Sequence, residues 1–342
     1  MTRQVSSIHD IAEENPDWNM NDEGRVRLAE VLKKCSWYHH ERGNFDLANR
    51  TLQLPKAIAG VHPNPSTSLL SDIYFQQAWL AAETMDRDTC MEYSLKHLET
   101  RLELERNTKP ALTQSSAMAY SILALANLFF ERYADVGKLV RDGLAIYYAA
   151  PETDRKIHWA HFFVIHQAWA LVGLGQAADA VEKLEETIEW GAMQFRKTKK
   201  PSFKHGYTLQ TLASIRFLEG NFEECSKLNR KAIRLYQETV RSNMHHVGDA
   251  YTKLAECKIR QSQPENALGY CSVQSIRSLQ CQLARALFIQ GGIQEQMNDQ
   301  VEAESSYEHA TDLYVEITHK GFGKQPALKL EDFTAIVPVW AR

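Results

Sequence analysis

Two rows of small residues run through this chain in step, and they limit its possible folds more than any other feature. The first row is Ser36, Ala78, Ala124, Ala168, Ala213, Ala255 and Gly291; the second, always twelve residues later, is Ala48, Cys90, Val136, Ala180, Cys225, Ala267 and Ala303. Successive members of the first row stand 42, 46, 44, 45, 42 and 36 residues apart. A small residue late in one helix and another early in the next let two backbones approach closely, so each pair marks one helical hairpin and their recurrence marks a tandem array. Between the rows lie helix breaks with turn residues, as in Arg42-Gly43-Asn44-Phe45, Leu174-Gly175-Gln176 and Glu219-Gly220-Asn221-Phe222.

At 342 residues the chain exceeds the size at which one globular core keeps growing, leaving two domains or a repeat array with a distributed core. The two rows select the array. The expected fold is all-α, a right-handed superhelical solenoid of about seven helix-turn-helix repeats, with residues 1–24 as an N-terminal extension, 25–320 as the repeat domain and 321–342 as a tail packed on the last repeat. Polar, proline-bearing segments such as Asn107-Thr108-Lys109-Pro110 and Lys199-Lys200-Pro201-Ser202 read as connections between hairpins. Pro55 is expected to end the second helix of the first unit early, because proline removes a backbone donor and clashes inside a helix. The stretch from Ala267 to Leu283 is short for a full second helix plus loop, so the sixth unit departs from the regular pattern.

The paired small residues resemble those of tetratricopeptide repeats, whose standard unit is 34 residues; the longer units here are similar to the repeats of kinesin light chains. Segments such as Trp37-Tyr38-His39-His40-Glu41-Arg42-Gly43-Asn44-Phe45 and the closing Glu331-Asp332-Phe333-Thr334-Ala335-Ile336-Val337-Pro338-Val339-Trp340 resemble fungal tetratricopeptide proteins, over roughly residues 25 to 342. Some of those proteins carry such arrays behind nucleotide-binding modules. No G-x-x-x-x-G-K-[ST] segment is present here, and Gly321-Phe322-Gly323-Lys324 is only superficially similar to one. The resemblance implies a binding scaffold whose first helices line a concave face.

Counting from the small-residue row places that face's side chains. Trp37 is expected there from the first unit, Phe75 and Trp79 from the second, Leu125 and Phe129 from the third, Phe162 and Trp169 from the fourth, and Tyr207 and Phe217 from the fifth. The sixth unit turns polar, with Asp249, Glu256 and Arg260, and Arg285 opens the seventh. A groove that holds a peptide carboxylate usually presents Lys, Arg and Asn, because a buried anion must be paired. Trp, Phe and Leu take most of those places here, which argues against an acidic-tail clamp. Several exposed aromatics would mark a binding surface, or else be covered by the chain itself as ordinary core.

Charge and hydropathy remove several classes. A formal charge of -4 gives no basic field for nucleic acid or an anionic membrane. No apolar run nears the roughly 20 residues of a spanning helix, and Met1 to Asp10 lack the layout of a secretion signal, so the cytoplasm is the default compartment. The six cysteines are scattered without a C-x-x-C pair or metal-finger spacing and read as reduced, packed thiols.

Candidate chemistry is sparse. His158, His161 and His166 share one helix but have no carboxylate on their face, so buried, hydrogen-bonded histidines are expected and no metal. His246, Asp249 and Glu256 could form an acid/base group, since a carboxylate in an apolar groove has a raised pKa; the alternative is capping and solvated charge, with Lys258 and Arg260 pairing to Glu256. Signatures of hydrolases, zinc proteases, dinucleotide enzymes and aspartate-rich cyclases are missing, and no cofactor is implied. Two readings follow. One is a helical-repeat protein that binds a peptide or protein segment through aromatic anchors. The other is an unconventional enzyme or carrier for a hydrophobic small molecule, such as a cyclase or pericyclase of fungal specialised metabolism, using the groove to preorganise its substrate.

Overall fold

The protein is known from a computed structural model, which describes residues 21–41, 43–61, 65–106, 114–149, 159–198, 202–239, 245–274, 280–318 and 328–337. The extension up to residue 20, the connections at 107–110 and 199–201, Arg42, His158, Gly321-Phe322-Gly323-Lys324 and Pro338 to Trp340 lie outside the described residues. The described residues form fifteen helices and no strand. They divide into two compact units, Met1–Lys156 and Ile157–Arg342.

The N-terminal unit holds three helical hairpins. They are α1 (Asp22–Glu41) with α2 (Phe45–Val61), α3 (Pro65–Glu83) with α4 (Arg87–Arg106), and α5 (Gln114–Phe129) with α6 (Tyr133–Ala149). The C-terminal unit holds four: α7 (Ala160–Gly173) with α8 (Ala177–Thr198), α9 (Phe203–Leu218) with α10 (Phe222–Thr239), α11 (His245–Arg260) with α12 (Pro264–Gln274), and α13 (Gln280–Gln296) with α14 (Gln300–Thr318). A short α15 (Leu330–Ala335) packs on α13. Within each unit every first helix packs on its own second helix and on the next first helix.

Every residue of the two small rows is buried. Along α10 the buried positions Cys225, Leu228, Asn229, Ala232, Ile233 and Tyr236 recur every three to four residues, the stripe that a helix must bury against its neighbours. These join Leu184, Leu212, Ile215 and Leu254 in the core of the C-terminal unit. Leu32, Leu52, Ile73, Ile122 and Leu125 are the large, fully buried side chains of the N-terminal unit.

All seven hairpin turns share one backbone device. Seven residues after each small residue of the first row the chain enters the left-handed region, at Gly43, Met85, Glu131, Gly175, Gly220, Ser262 and Asn298. The next amide then reaches back five residues to a helical carbonyl, as Asp86 N to Ala81 O at 2.9 Å and Gln176 N to Leu171 O at 2.8 Å. This is the left-handed helix stop that satisfies the last orphan carbonyls. The residue making that bond also begins the second helix. Asp86 and Asn221 accept the backbone amides of Thr89 and Glu224 at 3.1 and 3.2 Å, as N-caps do.

Two expectations meet the structure differently. Pro55 does not end its helix: α2 runs unbroken from Phe45 to Val61. Leu52 and Ala59 are buried on either side of it, so packing on both flanks outweighs the backbone bond that proline removes. The sixth unit is irregular as its spacing implies, since α12 has 11 residues and the paired helices of the other hairpins have 14 to 22.

Candidate functional site

In the N-terminal unit, the residue following the small row is tryptophan in the first two hairpins, Trp37 and Trp79. Because α1 and α3 pack side by side, these rings align with Phe75 into a ladder. Trp37 and Phe75 stack with centroids 6.2 Å apart and planes at 24°, and Phe75 and Trp79 stack at 6.2 Å and 30°. All three rings are half-buried. Beside them Asp72 binds Lys33 at 2.7 Å and also pairs with Arg101, although the three residues lie on α1, α3 and α4. Leu125 and Phe129, the third unit's expected contribution, are core residues at 1% and 4% exposure.

His97 lies against the ladder, 5.5 Å from the Phe75 ring. Its Nδ1 faces the Ser71 carbonyl at 2.8 Å and hydroxyl at 3.0 Å. Burial, with the Arg101 charge adding to it and the Ser71 carbonyl opposing, lowers its pKa to about 4.

The C-terminal unit gathers its expected residues into two chains. Phe162 meets Tyr207 at 6.1 Å, Tyr207 meets His246 edge-on at 4.3 Å, and His246 Nδ1 stands 3.5 Å from Asp249 Oδ2. Tyr236 donates to Gln210 at 2.9 Å beneath them. In the second chain the Lys253 ammonium lies 4.6 Å from the Phe217 ring centroid and 2.8 Å from Glu256, which also binds Arg285 at 2.5 Å. Arg285 reaches on to the Thr334 hydroxyl of α15 at 3.3 Å. Phe162, Trp169, His246, Asp249, Glu256 and Arg285 are buried, Tyr207 and Phe217 half-buried and Arg260 exposed. Among the described residues the buried indole N–H of Trp169 has no hydrogen-bond acceptor.

Glu256 corrects the expectation of a raised carboxyl. Burial pushes its pKa up, but the charges of Arg285 and Lys253, the Lys253 hydrogen bond and the charge of Arg260 together hold it below the ordinary value. It is therefore ionised near neutrality and is not a proton donor there. Its expected pairing with Lys258 is also absent; Lys258 binds Gln261 and Gln263 instead.

Lys253 and Arg101 escaped sequence reasoning. Lys253 precedes Glu256 by three residues on α11, a helix-face spacing that was available as a signal. Arg101 sits on a second helix, where no first-helix count could find it. His161 bonds Thr208 at 2.9 Å and lies 5.6 Å from Trp190. Among the described residues no group of three or more His, Cys, Asp or Glu is placed to hold a metal, and no helix is long and apolar enough to cross a membrane.

No family model and no curated protein matches the chain. Solved structures do. A Rap protein complexed with Competence and Sporulation Factor aligns with a TM-score of 0.64 at 11% identity, covering 92% of this chain and 80% of that one. BtubC (BKLC) from P. vanneervenii aligns at 0.53 and 14% identity over 71% of this chain and 96% of that one. The apo form of the quorum sensor NprR from B. thuringiensis aligns at 0.50 and 12% identity over 91% and 94%. Identities this low carry the fold alone, an all-helical array of helix-turn-helix hairpins such as those described above.

Proposed function

We propose that this chain is a helical-repeat binding protein that receives a peptide or protein segment on the aromatic face of its first helices. The observation that carries the reading is the Trp37–Phe75–Trp79 ladder, three rings stacked on one another along neighbouring first helices and left half-buried. Aromatics held rigidly at a surface are the side chains that dominate binding energy once a partner covers them. The likeness to a Rap protein complexed with Competence and Sporulation Factor supports the same reading at the level of fold.

The test is selection of a displayed random peptide library against the whole protein, followed by binding to a Trp37→Ala/Trp79→Ala double variant. Enriched peptides that bind the wild type and lose most of their affinity for the variant support the reading. Absence of enrichment, or peptides that bind both proteins equally, overturns it.

A further inference from the structure

We propose that Cys225 and Cys257 form a site of oxidative modification, which closes as an intramolecular disulfide between α10 and α11 when the protein meets a hydroperoxide. The residues are 32 apart in sequence, but packing of the fifth hairpin on the sixth brings their Sγ atoms to 3.2 Å. A disulfide needs a separation of about 2.05 Å, so closure asks for a side-chain adjustment of about 1 Å.

The surroundings give the two sulfurs different tasks. Cys257 is held below its ordinary thiol value, chiefly by the hydrogen bond with Cys225 and against the opposing effect of burial; the Ser226 hydroxyl and the Lys253 ammonium also favour its thiolate. Cys225 is pushed up by the same bond and by burial. Asn229 Nδ2 donates to Cys225 Sγ at 3.5 Å. Cys90 and Cys271 are each raised to about 12, mainly by burial, so Cys257 differs from these deeply buried thiols. The thiolate is the nucleophile, which assigns the first step to Cys257.

The balance is then complete. The Cys257 thiolate attacks the outer peroxide oxygen, the O–O bond breaks, and the alkoxide or hydroxide leaves with a proton, giving Cys257 sulfenic acid and an alcohol or water. Cys225 sulfur next attacks the Cys257 sulfur, the S–O bond breaks, and hydroxide leaves with the Cys225 proton as water. Two thiols are oxidised and one hydroperoxide is reduced. The resulting tie adjoins Glu256 and so fixes α10 against α11, the helix that carries Lys253 and Glu256, the two residues that pair with each other and, through Glu256, with Arg285 of α13. Both thiols are buried, so the reagent enters through local opening and the reaction should quicken in urea below the unfolding transition.

The test treats the full chain with hydrogen peroxide, alkylates free thiols after unfolding, and maps peptides without reductant. The expected result is one linked peptide pair containing Cys225 and Cys257, two hydrogens lighter than its parts, with Cys90 and Cys271 still alkylated. In Cys225→Ser, dimedone should trap a sulfenic acid at Cys257; in Cys257→Ser, Cys225 should remain a thiol. Far-UV circular dichroism confirms folding, and Cys225→Ala replaces a serine variant that does not fold. Peroxide that oxidises the half-buried Cys35 while leaving Cys225 and Cys257 both alkylatable overturns the proposal, as does dimedone labelling of Cys225 in Cys257→Ser.

Discussion

Ser36 donates its hydroxyl hydrogen to the carbonyl oxygen of Ala48, twelve residues on, at 2.8 Å. That bond joins α1 to α2 directly, and it shows physically what the twelve-residue interval encodes. A hydroxyl can reach the partner backbone there only because neither position carries a larger side chain. In the seventh hairpin the same place is held by Gly291, where an added Cβ would stand 2.8 Å from the Tyr307 ring.

The fourth member of the row offers the plainest test of this. Ala168 is completely buried. Replacing it with leucine should lower stability by about 1 to 3 kcal/mol, because overpacking forces paired helices apart or side chains off their rotamers. Urea denaturation of Ala168→Leu measures this, and an unchanged midpoint would remove the register for that hairpin.

Four of the seven turn positions carry a side chain in a conformation that glycine adopts without cost. Glu131 is one, exposed and at φ 57°. Glu131→Gly should raise stability by up to about 1 kcal/mol, since relief of left-handed strain exceeds the entropy that glycine adds to the unfolded chain. The thermal midpoint would rise by a few degrees; a fall would mean that the strain is not the governing effect.

Periodicity made the hairpins legible. Small residues, turn residues and helix lengths are local quantities, so Ser36 to Gly291 could be placed by counting alone. Pro55 was misjudged because its local penalty is offset by burial of Leu52 and Ala59, which no count of neighbours in sequence reveals. The aromatic positions were also countable, but whether a ring ends half-buried like Trp79 or in the core like Phe129 depends on what packs above it. Contacts between hairpins stayed hidden for the same reason: the Glu256–Arg285 pair and the approach of Cys225 to Cys257 each join residues about 30 positions apart.

His97 should make the N-terminal unit sensitive to mild acid. Its folded pKa of about 4 lies below the ordinary 6.5, so the unfolded chain takes up a proton that the folded one resists. The stabilising contribution is complete above about pH 6.5 and is lost as pH falls from there towards 4, by about 3 kcal/mol in all. Unfolding free energies at about pH 7 and about pH 4.5 should differ by less in His97→Gln than in the wild type; equal differences would contradict the assignment.

Glu256 contributes in a lower pH range. Its lowered carboxyl stabilises the folded protein above the unfolded carboxylate value of about 4.3, and that contribution disappears as pH falls through the folded pKa. Glu256→Gln leaves Lys253 and Arg285 buried without their shared counter-charge and should cost about 3 to 5 kcal/mol at neutral pH. Chemical denaturation of the variant would show this, together with a flatter stability profile below about pH 4. A variant as stable as the wild type would mean that the triad is not held as described.

The central claim, that the first-helix aromatics bind a segment of another chain, is tested most directly by comparing Trp79→Ala with Phe129→Ala by calorimetric titration of a library-selected peptide. The half-buried Trp79 should lose about 1 to 3 kcal/mol of affinity with little change in thermal midpoint. The buried Phe129 should instead lose about 3 to 5 kcal/mol of stability. If Trp79→Ala unfolds as readily as Phe129→Ala and binds the peptide as the wild type does, the ladder is core and the binding account is wrong.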